Sequence, residues 1–470
     1  AAGAPSHDSK GTVRVYNLAP DSPVVTGTTI ANNNSTIAVT FNQAVFDTNG
    51  GSGALEVSDF ALSISGGVAT VNATPSSISI SGNVYTLGLN LSGTPSGAET
   101  LTVVPSENAM YDASGNAAST TQSNNTISLN DQAVPIVSGT TVASNNSTIA
   151  VTFSEAVFDT NGGSGALEVS DFALSISGGV ATVNATPSSI SISGNVYTLG
   201  LNLSGTPNGA ETLTVVPSGA TAIYDASGNA ASTTQSNNTI SLNDQVVPIV
   251  SGTTVASNNT TIAVTFSEAV FNTNGGSGAL EVSDFALSIS GGVATVNATP
   301  SSISISGNVY TLGLNLSGTP NGAETLTVVP SGATAIYDAS GSAASTTQSN
   351  NTVSLNDQAA PTVTGTTVAN NNSTIAVTFN QAVFDTNGGS GALEVSDFAL
   401  SISGGVATVN ATPSSISISG NVYTLGLNLS GTPNGAETLT VVPSGATAIY
   451  DAAGNAASTT QSNNTVSLVN

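Results

Sequence analysis

Apolar and polar residues alternate with a period of two along most of the chain. In residues 147–153, for example, Ile149, Val151 and Phe153 share one face, and residues 195–203 show the same alternation. This pattern is typical of β-strands with one buried face. No segment has helical periodicity, and the density of Gly, Asn, Ser and Thr opposes helix formation. The pattern predicts an all-β protein.

The alternating pattern occurs four times. A segment beginning Pro-x-Val recurs at Pro23, Pro135, Pro248 and Pro361, at spacings of 112 or 113 residues. Within it, the string GGSGALEVSDFALSISGGVATVNATPSSISISGNVYTLGLNLSGTP is repeated without change. A repeat this long closes its own core, unlike short solenoid repeats. We therefore predict an N-terminal extension and four domains, at residues 1–22, 23–134, 135–247, 248–360 and 361–470.

The second repeat contains seven predicted strands, A to G. Gly194-Asn195 is a tight-turn signal between strands D and E. Seven strands at this spacing predict an immunoglobulin-like β-sandwich. Because an odd number of strands places the two ends of a domain at opposite poles, we expect four tandem sandwiches to form an elongated rod. The predicted strands are Ile136–Val142, Ser147–Phe153, Phe172–Ser177, Val180–Ser193, Val196–Leu203, Glu211–Val216 and Thr233–Leu242.

Charge excludes several functions. The chain has 27 acidic residues against only Lys10 and Arg14, for a formal net charge of −25. This balance argues against binding nucleic acid or an anionic membrane surface, both of which attract basic side chains. No apolar run approaches the roughly 20 residues that span a bilayer. Cysteine is absent and His7 is the only histidine, so we expect neither disulfides, a Ser-His triad nor a His-ligated metal, and no enzymatic activity.

The acidic residues are predicted to converge at the domain junctions. In the second repeat, the B–C segment, the F–G loop and the incoming linker fall at one end of the sandwich and bring six carboxylates together without a local cation. Several oxygen ligands without His or Cys are typical of a Ca²⁺ site, which takes six to eight oxygens. The alternative is that these are solvated loop acids that keep the protein soluble.

We predict calcium ligands at equivalent positions in all four repeats. Glu155 becomes glutamine in the outer repeats, and Asp159 and Asn229 become Asn272 and Ser342 in the third, so the positions that vary rank lower. The candidate ligands are Asp47, Glu56, Asp59, Asp112, Asn116, Asp131, Glu155, Asp159, Glu168, Asp171, Asp225, Asn229, Asp244, Glu268, Glu281, Asp284, Asp338, Asp357, Asp385, Glu394, Asp397, Asp451 and Asn455.

The strings FSEAVFDTNGGSGALEVSDF and YDASGN, with the linker NDQAVP, resemble tandem bacterial Ig-like repeats of large secreted adhesins and other cell-surface proteins. The resemblance covers residues 23–470. It implies export to the cell surface or the extracellular space, an Ig-like sandwich, calcium at the inter-domain linkers, and adhesive or spacer roles.

The extension contains one alternating segment, residues 11–19, which aligns with the last strand of the first repeat. It has the pattern of a G strand without a domain of its own. One hypothesis is that it pairs with an exposed sheet edge of another copy and builds a surface or matrix fibre head to tail. The alternatives are packing on its own first domain or a disordered tail. A second functional class also remains open, the repeat or stalk region of an adhesin that binds a surface or a glycan.

Overall fold

A computed structural model describes residues 21–470 of the chain. The predicted strand at residues 11–19 lies outside the described residues. The chain divides into two compact units, one that ends at Asn243 and one that spans Asp244–Asn470. Within the described residues, each unit contains two sets of nine strands and two three-residue 3-10 turns. We call the four sets sandwich 1 (residues 25–128), sandwich 2 (137–241), sandwich 3 (250–354) and sandwich 4 (363–467).

Unit 1 contains β1 to β18. The strands of sandwich 1 are β1 Val25–Ile30, β2 Thr36–Phe41, β3 Phe60–Ser65, β4 Thr70–Val71, β5 Ile78–Ser81, β6 Val84–Gly88, β7 Leu91–Ser92, β8 Thr100–Pro105 and β9 Thr126–Ser128. Those of sandwich 2 are β10 Val137–Val142, β11 Thr148–Phe153, β12 Phe172–Ser177, β13 Thr182–Val183, β14 Ile190–Ser193, β15 Val196–Gly200, β16 Leu203–Ser204, β17 Thr212–Pro217 and β18 Thr239–Ser241. The 3-10 turns are Val57–Asp59 and Val169–Asp171.

Unit 2 repeats this arrangement. The strands of sandwich 3 are β19 Val250–Val255, β20 Thr261–Phe266, β21 Phe285–Ser290, β22 Thr295–Val296, β23 Ile303–Ser306, β24 Val309–Gly313, β25 Leu316–Ser317, β26 Thr325–Pro330 and β27 Thr352–Ser354. Those of sandwich 4 are β28 Val363–Val368, β29 Thr374–Phe379, β30 Phe398–Ser403, β31 Thr408–Val409, β32 Ile416–Ser419, β33 Val422–Gly426, β34 Leu429–Ser430, β35 Thr438–Pro443 and β36 Thr465–Ser467. The 3-10 turns are Val282–Asp284 and Val395–Asp397.

The sheets have an immunoglobulin strand order. In sandwich 2, one sheet runs β10-β11-β15-β14 and the other β12-β17-β18, which are the A-B-E-D and C-F-G orders of a constant-type domain. All pairs are antiparallel, and sandwiches 1, 3 and 4 repeat the same order. The prediction of an all-β protein with four tandem β-sandwich domains is confirmed. No helix in residues 21–470 has the length and apolar character needed to cross a membrane.

Three predicted strands, D, E and G, are wrong in detail, and each sandwich has nine strands and not seven. The predicted strand D, Val180–Ser193, is divided into β13 and β14, with Pro187 between them. Proline has no N–H for a ladder bond and ends a strand. The predicted strand E likewise divides into β15 and β16, and β13 pairs with β16 as a separate two-stranded sheet. The predicted strand G shortens to Thr239–Ser241.

An aromatic cluster lies between the sheets. In sandwich 2, Tyr197 packs edge-on against Phe153 with ring centroids 5.6 Å apart, and against Phe172 at 6.1 Å. All three are at most 3% exposed. The Tyr197 hydroxyl donates a hydrogen bond to the Val157 carbonyl at 3.1 Å, which satisfies the one polar atom of the ring. The predicted alternation thus builds the core.

Each sandwich also buries one carboxylate that the sequence analysis did not single out. Glu211 is 0% exposed, and its oxygens accept backbone N–H groups of Val180, Ala181 and Asn208 at 2.8, 3.0 and 2.9 Å. A Cβ atom at Gly179, whose φ is 58°, would lie 2.1 Å from the Glu211 carboxyl carbon. The glycine is therefore required for this close approach.

The backbone hydrogen bonds lower the pKa of these buried carboxyl groups. Burial alone would raise the pKa of Glu211, but the N–H donors outweigh it and lower the pKa. The same balance lowers the pKa of Glu99 to about 2. The equivalent residues of sandwiches 3 and 4 are Glu324 and Glu437, both 0% exposed.

We expect Glu211→Gln to lower the free energy of unfolding of sandwich 2 by about 2 kcal/mol, because the amide turns an NH₂ group toward backbone donors that then lack an acceptor. Urea denaturation at pH 7 measures this. The control is Glu168→Gln, the same chemical change at an exposed position, for which we expect less than about 0.5 kcal/mol. Equal losses in the two variants would contradict the assigned role of Glu211.

Candidate metal centre

Two carboxylate triads form where a linker enters a sandwich. Asp131, Glu155 and Asp225 each place an oxygen within 4.8 Å of the others, and so do Asp244, Glu268 and Asp338. In each triad the first residue comes from the linker, the second follows strand B, and the third lies in the F–G loop. Residues 21–470 contain no Lys, Arg or His, so no basic side chain of this part of the chain can neutralise either triad.

The aspartate of the F–G loop is the buried member. Asp225 is 0% exposed, and its Oδ1 accepts the backbone N–H groups of Ser227 and Asn229 at 2.9 and 2.8 Å. Its Oδ2 accepts from the Asn229 side-chain amide at 2.8 Å. The tight Asp-Ala-Ser-Gly-Asn turn thus holds this carboxylate rigidly inside the junction.

Asp338 has the same position in sandwich 3 but lacks one donor. It is 0% exposed, and its Oδ1 accepts from the Ser340 hydroxyl at 2.8 Å and the Ser342 N–H at 2.7 Å. Ser342 replaces the asparagine of sandwich 2 and has no side-chain amide to donate to Oδ2. Asp338 Oδ2 is consequently buried without any hydrogen-bond partner. A buried, unpaired carboxylate oxygen is costly unless a proton or a cation satisfies it.

The charged form of the glutamate in each triad is destabilised by burial and by the neighbouring carboxylates. Burial, and after it the charges of Asp131 and Asp225, raise the pKa of Glu155 from 4.5 to about 7. Burial, and after it Asp244 and Asp338, raise the pKa of Glu268 from 4.5 to about 6. Each triad therefore favours an added positive charge, which a proton or a metal ion supplies.

The linker is tied to the sandwiches on both of its sides in unit 1. The side chain of Asn34, in sandwich 1, is 2% exposed and exchanges two hydrogen bonds with the Asn130 backbone, at 2.7 and 2.9 Å. The next residue, Asp131, accepts from the Asn229 amide of sandwich 2 through its carbonyl at 3.2 Å. Its carboxylate accepts the N–H of Ala133 at 2.8 Å, which orients it. Adjacent linker residues are thus held by different domains.

Two further sets of predicted ligands are not members of either triad. Glu56, Glu168, Glu281 and Glu394 are exposed, and the backbone N–H of each donates to the aspartate that ends the following 3-10 turn. These aspartates are Asp59, Asp171, Asp284 and Asp397. In a further set, the side-chain Oδ1 of each residue is buried without a hydrogen bond and packs against a loop glycine. This set consists of Asp47, Asp159, Asn272 and Asp385.

The outer sandwiches replace the glutamate of the triad. In sandwich 4, Gln381 takes the place of the glutamate beside Asp357 and Asp451. Its Nε2 donates to Asp451 Oδ2 at 2.9 Å. Asn455 donates to the same oxygen at 2.9 Å. In sandwich 1, Gln43 Nε2 lies 3.4 Å from Asp112 Oδ2, and Asn116 donates to that oxygen at 2.8 Å. This variable position was expected to be a weaker ligand, and the hydrogen bond from its amide to the aspartate was not predicted.

A volume of about 660 Å³ adjoins the first junction, lined by polar groups that include Asp131, Gln132 and Asn229. The lining contains no sulfur or imidazole, and Asp131 is its only carboxylate. The carboxylate oxygens of the triads themselves fit a hard divalent cation, and calcium over zinc. Ordered water can complete the coordination sphere of such an ion.

Comparisons with known proteins do not assign a family. No protein-family model and no curated protein matches the chain. Among solved structures, the chain is similar to the N-terminal part of the bacterial S-layer protein SbsC, at 13% sequence identity and a TM-score of 0.19. The match covers 43% of this chain and 42% of that one, so the chain spans less than half of that structure. A similarity of this degree carries no inference about fold or function.

The stability of the metal-free protein should fall as the pH rises. Glu155 and Glu268 hold a proton in the folded state that the unfolded chain has already lost, so their stabilisation is complete below about pH 4.5 and is lost as the pH rises through about 6 to 7. Thermal melting of resin-treated protein between pH 5 and 8 measures this fall.

Calcium should remove this pH dependence at saturating concentration, and the double variant Glu155→Gln, Glu268→Gln should show little of it. Glu211 and its equivalents affect the stability in the opposite direction. Their pKa is lowered, so the stability that they contribute is lost only in acid. A melting temperature of the metal-free protein that is flat from pH 5 to 8 would contradict the triad electrostatics.

Proposed function

We propose that the protein is an extracellular structural protein whose tandem Ig-like sandwiches are fixed to their linkers by calcium. It would act as a spacer or fibre component at a cell surface and not as an enzyme. The resemblance to bacterial Ig-like repeats supports the location and the role. The observation that carries the proposal is Asp338 Oδ2, a fully buried carboxylate oxygen with no hydrogen bond, in a triad without a basic neighbour.

Calcium fits these triads better than other common ions. Three carboxylates and nearby backbone carbonyls provide the oxygen ligands that Ca²⁺ takes, whereas Mg²⁺ favours few carboxylates and retains its waters. The linker carbonyl of Asp244 lies 3.2 Å from the Ser340 hydroxyl, so oxygen atoms of the linker and the F–G loop already adjoin the triad. A cation bound here would fix the linker to the sandwich that follows.

Removal of calcium should lower the melting temperature at pH 7.5, because the deprotonated triads then repel within the junctions. At a calcium concentration of about 100 times Kd, ligand linkage predicts about 2.7 kcal/mol of added stability for each site. Differential scanning calorimetry with and without chelator tests this, and isothermal titration gives the stoichiometry.

Magnesium at the same concentration serves as the ionic control and should restore little of the lost stability. The proposal fails if chelation leaves the melting temperature unchanged and titration detects no calcium binding. A response to magnesium equal to that of calcium would instead show a general effect of divalent charge on an acidic protein.

We further propose that residues 11–19 of one copy add a strand to a sandwich of the next. A free sheet edge in sandwich 4 supports this proposal, because β32 is the last strand of its sheet and pairs only with β33; β5, β14 and β23 are the equivalent edges of the other sandwiches. Ile418 on this edge is 44% exposed, beside a groove of about 350 Å³ lined by Leu393 and Tyr423. An edge strand without charges, proline or a bulge is open to pairing.

Charge also favours this donor strand. Lys10 and Arg14 are the only lysine and arginine of the chain and lie in or beside residues 11–19, while the rest of the chain is acidic. Opposite charges speed the approach of such a segment to an acidic neighbour.

Deletion of residues 1–20 should abolish filaments seen by negative-stain electron microscopy, while the melting temperature of the four sandwiches stays within a few degrees. A matched variant, Ile418→Asp, places a charge on the receiving edge and should shorten the filaments. Filaments that persist after the deletion would rule out strand donation. Isolated particles in the intact protein would favour the stalk of an adhesin.

A further inference from the structure

Four domains of nearly identical sequence differ at the one position that decides the charge of the junction. The residue two positions after strand B is Gln43 in sandwich 1, Glu155 in sandwich 2, Glu268 in sandwich 3 and Gln381 in sandwich 4. Glutamate and glutamine have the same shape, but only the amide carries N–H donors. The chain therefore contains a carboxylate-to-amide exchange at this position, beside one further difference in the F–G loop, where Ser342 replaces the asparagine of the other sandwiches.

The hydrogen bonds to the F–G aspartate follow this exchange between sandwiches 4 and 2, and follow the replacement of asparagine by Ser342 between sandwiches 2 and 3. In sandwich 4, Asp451 Oδ2 accepts from two side-chain amides, Gln381 and Asn455, both at 2.9 Å. In sandwich 2, the equivalent oxygen of Asp225 accepts from Asn229 alone. In sandwich 3, Asp338 Oδ2 has no donor at all. The number of amide donors on this oxygen falls from two to one to none.

The number of carboxylates changes in the same direction. Sandwiches 2 and 3 each have three, whereas sandwich 4 has only Asp357 and Asp451 beside its glutamine. Sandwich 1 has Asp112 with Gln43; in the sequence Ala19 aligns with Asp131, and Asp21 accepts a hydrogen bond from Gln43 Nε2 through its carbonyl at 2.8 Å. More carboxylates and fewer internal donors increase the gain from binding a divalent cation.

We propose that the side-chain amides of Gln43 and Gln381 take the place of a cation, so that only the junctions with Glu155 and Glu268 are calcium sites. The site at Glu268 is the tighter of the two, because Asp338 Oδ2 is buried and has no other partner. This inference rests on the proposed calcium binding and adds which junctions bind the ion, in what order, and which residue decides it.

The exchange can be tested in both directions in the intact chain by calcium titration at pH 7.5. Wild type should bind two ions, the tighter by about tenfold, since ligand charge and rigidity set calcium affinity. Glu268→Gln should leave one site, the weaker one. Gln381→Glu should create a third site, and in the metal-free protein it should lower the melting temperature, which calcium then restores.

Two control variants separate charge from position. Gln43→Glu adds the same charge in sandwich 1, where Ala19 aligns with the linker aspartate and Asp21 offers residue 43 its carbonyl, and should bind calcium more weakly than the site made by Gln381→Glu. Gln381→Ala removes the amide without adding a ligand, so it should lower stability in a manner that calcium does not restore. Circular dichroism confirms that each variant retains its β structure.

The outcomes distinguish the inference from the proposed function. If wild type binds no calcium, both fail. If wild type binds calcium but Glu268→Gln and Gln381→Glu leave the number of sites unchanged, the proposed function stands and this inference is overturned. A wild-type stoichiometry of three or four ions per chain would also overturn it, since the amide junctions would then be cation sites as well.

Discussion

Buried carboxylates without basic partners govern this structure. Residues 21–470 contain no Lys, Arg or His, yet each sandwich encloses an aspartate and a glutamate that are at most 3% exposed. Glu211 and its equivalents are satisfied by backbone N–H groups, which turn inward at a pair of glycines. Asp451 is satisfied by side-chain amides, and Asp338 retains an oxygen with no donor. A buried charge without a hydrogen-bond partner is strongly destabilising. The three kinds of buried carboxylate therefore differ in whether they need a proton or a cation from the solvent. The first two are complete within the chain, and the third needs a proton or an ion.

Alternation along the chain predicted the architecture well, because both sheets bury one face. Strands A, B, C and F lie within one residue of their predicted bounds in sandwich 2. Strands D and E were predicted as single segments because their alternation continues. Pro187 divides strand D, and the second half of strand E leaves the first sheet to pair with β13. Periodicity reports which residues are apolar, but not which sheet a segment joins. The short final strand was overestimated for the same reason, since its preceding Ser and Thr residues continue the pattern in turns.

The candidate site was predicted in part. The linker, the B–C segment and the F–G loop do meet, which brings Asp131, Glu155 and Asp225 together. Asp159, Glu168 and Asp171 were expected in the same cluster from loop order alone, but the path of a long loop between strands is set by its own turns and glycines. Asp171 instead receives the N–H of Glu168 in a 3-10 turn. The role of Glu211 depends on a backbone contact 31 residues away, which no local pattern reveals.

The constancy of the four sandwiches also bears on how the chain folds. Strands β2, β3, β6 and β8 of sandwich 1 have the same sequences as β11, β12, β15 and β17 of sandwich 2. A strand of one could pair with the partner of the other at no loss of ladder bonds or of core contacts, so side-chain chemistry does not discriminate between a native sandwich and an exchanged one. Tandem domains of identical sequence are prone to this kind of misassembly. Discrimination must then come from chain connectivity and time, with each sandwich closing during synthesis before its duplicate has left the ribosome.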